Sequence, residues 1–167
     1  MTDDCPIDIN KMKPVDLIEG EDALDTKLLK EMAIEARDFI SSQEWCEQVD
    51  QQYLAFGIGG IVATFLVQIT PRSEDVDTLL WVIVGDLPPA CIVVPDNPTV
   101  ADASDAYCSE MEAWVEAVEK SESVDDLIPV NVPPTLDLAR ALSGRLSYLR
   151  SEVLPLSREG NPHSAPS

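Results

Sequence analysis

Carboxylates are the side chains whose number and spacing could do chemistry in this chain. Asp102, Asp105, Ser109, Glu112, Glu116 and Glu119 recur every three or four residues, which places them on one face of an α-helix. A row of carboxylates attracts cations, and on a protein surface it meets the lysines and arginines of a basic partner. We expect Asp102, Asp105, Glu112, Glu116 and Glu119 to form such a partner-binding face. The row from Asp102 to Glu119 would run ~25 Å at the helical rise. Its charges are sparser than the phosphates of a DNA strand, which recur every ~3.4 Å. Imitation of a nucleic acid would need a second acidic face, and Glu31, Glu35 and Asp38 on a helix near the N-terminus are the candidates.

Other chemistries are poorly served. The single histidine, His163, lies in a tail of Ser, Pro, Gly and Asn, so a Ser-His-Asp or Cys-His arrangement has no anchored base. Cys5, Cys46, Cys91 and Cys108 never approach Cys-x-x-Cys spacing, which argues against a zinc site. We therefore expect no catalytic residue, no metal ligand and no cofactor. Phe56-Gly57-Ile58-Gly59-Gly60 has the glycines of a phosphate loop, but Ile61 to Val67 favour strand and no Gly-Lys-Ser or Gly-Lys-Thr follows. A bulge or tight turn accounts for it. Asp75 with Asp77, and Asp125 with Asp126, lack the pattern of a calcium loop and read as solvated turn residues. Asp86, in Gly85-Asp86-Leu87-Pro88-Pro89, is the one acid between two apolar strands. It reads first as an Asx-type turn former. With Tyr107 it is also the only pair to name for a pocket, in a ligand-binding or carboxylate-using enzyme domain.

These residues need elements to hold them. Val100, Ala103, Tyr107, Met111, Trp114 and Val118 form the apolar stripe opposite the carboxylate row, predicting a helix over 99–120. Leu24, Leu28, Met32, Ala36 and Phe39, widened by Leu29, Ala33 and Ile40, predict a helix over 21–41. Residues 43–49 read as a further turn of helix burying Trp45. Between 52 and 94, β-branched and aromatic runs alternate with polar turns, predicting an antiparallel meander of three to four strands. Leu138, Leu142, Leu146, Leu149 and Val153 stripe a last helix over 135–153, capped by Thr135 after Pro133-Pro134. Residues 121–134 read as a connector in which Leu127, Ile128 and Val130 tuck under the fold. The order of elements predicts an α+β fold whose helices cover one face of a small sheet. Residues 1–20 read as an irregular arm with Ile7, Ile9 and Leu17 to dock it. Residues 21–154 read as a single domain and residues 155–167 as a disordered tail.

Charge sets the class of partner. The chain has 31 acids against 11 bases, a net charge of −20. Such a field repels phosphates and anionic lipid, so neither nucleic acid nor membrane is the expected partner. The apolar stretch from Leu54 to Val67 is shorter than the ~20 residues of a spanning helix. An acidic start and scattered cysteines fit a cytoplasmic protein with reduced thiols. Only residues 127–167 escape the acidity: three acids and four bases give +1 there, including Arg140, Arg145 and Arg150. The resulting expectation is a small acidic interaction protein that blocks or regulates a basic protein, in the manner of an immunity protein or an inhibitor. The alternatives are the enzyme or ligand-binding domain above, and an acidic chaperone or adaptor, which would show an exposed apolar patch and dimerise.

Overall fold

Two long apolar runs decide the architecture. In a computed structural model, which describes residues 12–94, 99–125, 127 and 133–158 (side chains of 157 and 158 excepted), every residue from Val62 to Val67 and from Leu80 to Val84 is buried. Strands that are apolar at every position need cover on both faces, and both faces are covered. The chain forms an α+β fold around a five-stranded antiparallel sheet in sequential order. The strands are β1 (Lys13–Pro14), β2 (Cys46–Ile58), β3 (Val62–Pro71), β4 (Leu79–Gly85) and β5 (Leu87–Val93).

Helix α1 (Ala23–Ser41) lies on one face, over Leu54, Ala63, Phe65, Val67, Val82 and Val84. Helices α2 (Val100–Glu119) and α3 (Leu136–Tyr148) lie on the other, over Phe56, Val62, Leu66, Trp81, Ile83 and Ile92. The expectation that all the helices share one face is thereby corrected. After α3 the chain stays helical, as a π-helical stretch, Leu149–Val153, and then α4 (Leu154–Arg158). The helical run thus passes Pro155, where the sequence suggested a tail. Residues 159–167, with His163, lie outside the described residues. So do residues 1–11, 95–98, 126 and 128–132, and with them Cys5, Ile7, Ile9, Asp126, Ile128 and Val130.

Local chemistry explains the ends of the elements. Asp22, Thr99 and Thr135 cap α1, α2 and α3 by accepting from the backbone N–H three residues on, satisfying donors that a helix N-terminus leaves free. β1 adds a strand to the expected meander and pairs only with Tyr53 and Leu54. Residues 46–51, expected in part as helix, are the start of β2, and Trp45 is half-buried in the turn before it. β5 carries Pro88 and Pro89 on the edge of the sheet, where missing N–H groups discourage further pairing.

The stripes hold with two shifts. On α1 the buried residues are Leu29, Met32, Ala33, Ala36 and Ile40, while Leu24 is exposed; the helix is rolled toward the residues that widen the stripe. Leu138 is exposed, whereas Leu142, Leu146, Leu149 and Val153 reach the core. Near the N-terminus Ile18 is buried and Leu17 is exposed. Leu127 packs against the α2–α3 side of the core.

Candidate functional site: an acidic row and a cleft

The carboxylate row exists on the outer face of α2, but its centre is occupied. Arg150, projecting from the π-helical stretch, grips Glu112 with two parallel bonds, from Nε at 2.6 Å and from Nη2 at 2.9 Å. It also donates to Asp105 at 2.8 Å and to Ser109 at 3.1 Å. The five-residue-per-bond winding of a π-helix keeps Leu149 and Val153 buried while Arg150 turns toward α2. The hydrogen bonds that Arg150 donates to Glu112 and Asp105 push its guanidinium further up from its already high pKa. Glu116 holds Lys120 at 2.7 Å, one turn on, and that bond lowers the Glu116 carboxyl and raises the Lys120 ammonium. Asp102 and Glu119, at the two ends, are exposed and form no ion pair among the described residues. Glu31, Glu35 and Asp38 are exposed on α1. Because α1 and α2 cover opposite faces of the sheet, the two acidic faces point away from each other and form no common surface.

A concave site lies elsewhere, at the end of the sheet where two turns meet. Gly60, with φ of +81°, closes the β2–β3 turn, and Gly85, with φ of +149°, closes β4. Pairing of Val62 with Gly85 brings the two turns together. The Asp86 N–H donates to the Ile61 carbonyl at 3.0 Å and locks them. A Cβ on Gly85 would sit 2.2 Å from that same carbonyl, so only glycine fits. From below, the Tyr107 hydroxyl donates to the Pro88 carbonyl; burial raises its pKa and keeps it a donor.

Helix α3 passes over these turns and leaves two adjacent hollows. One, of about 470 Å³, lies between Gly60, Ile61, Ala141, Gly144 and Tyr148. The other, of about 370 Å³, lies between Pro88, Pro89, Leu138 and Leu142. Asp86, Leu87, Ala141 and Arg145 line both. Arg145 pairs with Asp86 at 3.2 Å and so stands as a bar between the hollows. Gly144 is a mid-helix glycine with nothing within 4 Å of where its Cβ would be.

Asp86 and Tyr107 are thus joined through one turn: Asp86 faces the cleft and Tyr107 supports the turn from the core. The acidic residues of the row are together on α2, apart from the cleft lining but over the same face of the sheet. Arg145, Arg150, Gly144 and Tyr148 carry the geometry and were not singled out as site residues. Their signal was the near-neutral last segment and its regularly spaced arginines. Among the described residues no group of three or more His, Cys, Asp or Glu side chains is placed to hold a metal ion, and no helix is long and apolar enough to cross a membrane. No protein-family model, curated protein or solved structure matches the chain.

Proposed function

We propose that this chain is an interaction protein that binds a basic protein partner and regulates or blocks it. The observation that carries the reading is the charge left over after internal pairing. The ion pairs among the described residues engage three cations, Lys120, Arg145 and Arg150, in a chain of net charge −20. The outer faces of α1 and α2 therefore present carboxylates to water on both flanks. Such a field draws a cationic protein in and raises its association rate.

The partner approaches over α2 and α3. Asp102 and Glu119 are free to meet it, while Asp105, Glu112 and Glu116 meet it only in exchange for Arg150 or Lys120. Salt-gradient elution from the immobilised intact chain tests this, with Asp102→Lys/Glu119→Lys as the control that spares the Arg150 contacts. One basic protein retained by the wild type and released early by the control supports the reading. Retention of nothing, or of basic proteins indiscriminately, would show that the acidity serves solubility alone.

A further inference from the structure

The cleft beside α3 is open among the described residues. Its hollows, about 470 and 370 Å³, fall within the range of sites that enclose a ligand or an anchoring side chain. Their side-chain walls are apolar apart from one ion pair and the Tyr148 hydroxyl. Gly144 weakens the middle of α3 relative to alanine, and no contact among the described residues requires it. A glycine there leaves room for a chain outside the fold to lie close against the helix. The turns forming the floor are held by the Asp86–Ile61 and Tyr107–Pro88 bonds, so the site is formed before anything enters it.

The ion pair names the chemistry. Arg150 holds its acids at 2.6–2.9 Å, the range of strong charge-assisted bonds. Arg145 reaches Asp86 only at 3.2 and 3.4 Å, and the Asp86 side chain remains 70% exposed. Asp86 is thus met by Arg145 at each carboxylate oxygen through longer contacts, and most of its side chain stays open to a second cation. A lysine or arginine from outside can take the place of Arg145, which then swings into water and joins the hollows.

From this we infer that the cleft binds an apolar–basic–apolar segment of a partner protein, with the basic side chain on Asp86 and an apolar side chain in each hollow. This deepens, and rests on, the reading of the chain as a binder of basic proteins. Charge complementarity selects the occupant. A second copy would bring another −20 against the first, and an acidic segment would be repelled in the same way.

The test is fluorescence anisotropy of capped synthetic peptides with the full chain. The library fixes Lys, Arg or Glu at the centre and varies the flanks among Leu, Phe, Tyr and Ser. Lys- or Arg-centred members with apolar flanks bind. Asp86→Asn and Gly144→Trp each weaken them by ~10-fold or more, and Arg145→Ala tightens them. Gly144 faces open space, so the Trp variant keeps its fold, as far-UV circular dichroism checks. Binding of basic peptides that ignores Gly144→Trp overturns the cleft and leaves the basic-partner reading standing. Equal binding of Glu-centred peptides, or no binding by any member, overturns both. A concentration-dependent dimer that Gly144→Trp abolishes would show that the occupant is a second copy.

Discussion

Replacing Arg150 with methionine tests the account of the acidic row most directly. Methionine keeps much of the aliphatic stem, which packs as the arginine stem does, and removes the guanidinium. Two ion pairs are lost, one of them bidentate, together with the bond to Ser109. The arginine is about one-third exposed and its partners about half exposed, so each pair contributes up to ~1 kcal/mol. Without the cation, Asp105 and Glu112 also repel their acidic neighbours along the helix, by a few tenths of a kcal/mol per pair. The expected loss is about 2 kcal/mol. For a chain of this length that lowers the melting temperature by roughly 4–8 °C at low salt. Arg150→Lys keeps the charge without the fork and falls between the two. Thermal unfolding in a double-mutant cycle with Glu112→Gln isolates the pair, and the coupling shrinks as salt is raised. If Arg150→Met melts within ~1 °C of the wild type, or shows no coupling to Glu112, the guanidinium does not hold the row and the argument for a closed centre fails.

Three further outcomes follow from the geometry. Gly85→Ala drives a methyl against the Ile61 carbonyl at 2.2 Å and should cost ~3 kcal/mol or more, read as a fall in the urea midpoint at unchanged slope. Ser121, just past α2, has φ of +58°, so Ser121→Gly should stabilise by about 1 kcal/mol and raise the melting temperature; a loss of stability would contradict the left-handed end of that helix. Burial pushes the Cys108 thiol up from 9.0 to about 11. Its neutral form therefore supports the fold below pH 9, and that support is lost as pH rises through 11. At pH 8 the ionisation difference alone slows its alkylation ~100-fold relative to an unfolded thiol, which mass spectrometry of native and denatured labelling would reveal.

Much of the fold was legible because period and burial are linked. The stripe opposite the acidic row on α2 is the buried face of that helix, and Thr135 is the cap of α3. The two-sided sheet was also readable, though it was missed. Ile61 to Val67 and Leu79 to Val84 do not alternate, and a sheet with one wet face would have made them alternate. β1 could not have been read: two residues pair through backbone groups, which leave no pattern in side chains. The cleft was half visible. Asp86 stands out as an acid between apolar strands, but Arg145 joins it from 59 residues away. No local spacing encodes that meeting. The same is true of Arg150, whose aim depends on a π-helical stretch that nothing in the periodicity of 135–153 signals.

On the proposed reading, the two arginines of the last helical run separate what would steer a partner from what would hold it. Arg150 satisfies Asp105, Ser109 and Glu112 at short range, so those groups have little to offer an incoming cation. Arg145 leaves Asp86 mostly exposed, so on this proposal the strongest new contact lies in the cleft. Charges that act at a distance change association rates, whereas contacts sheltered in an interface change dissociation rates. Reversing Asp102 and Glu119 should slow the arrival of a basic, apolar-flanked peptide, with an effect that fades as salt shortens the screening length. Neutralising Asp86 should speed its departure and leave its arrival nearly unchanged. Stopped-flow fluorescence at two salt concentrations resolves both rates. If Asp86→Asn slowed arrival and left departure unaltered, Asp86 would be one more charge of the field, and the cation would be held somewhere other than the cleft.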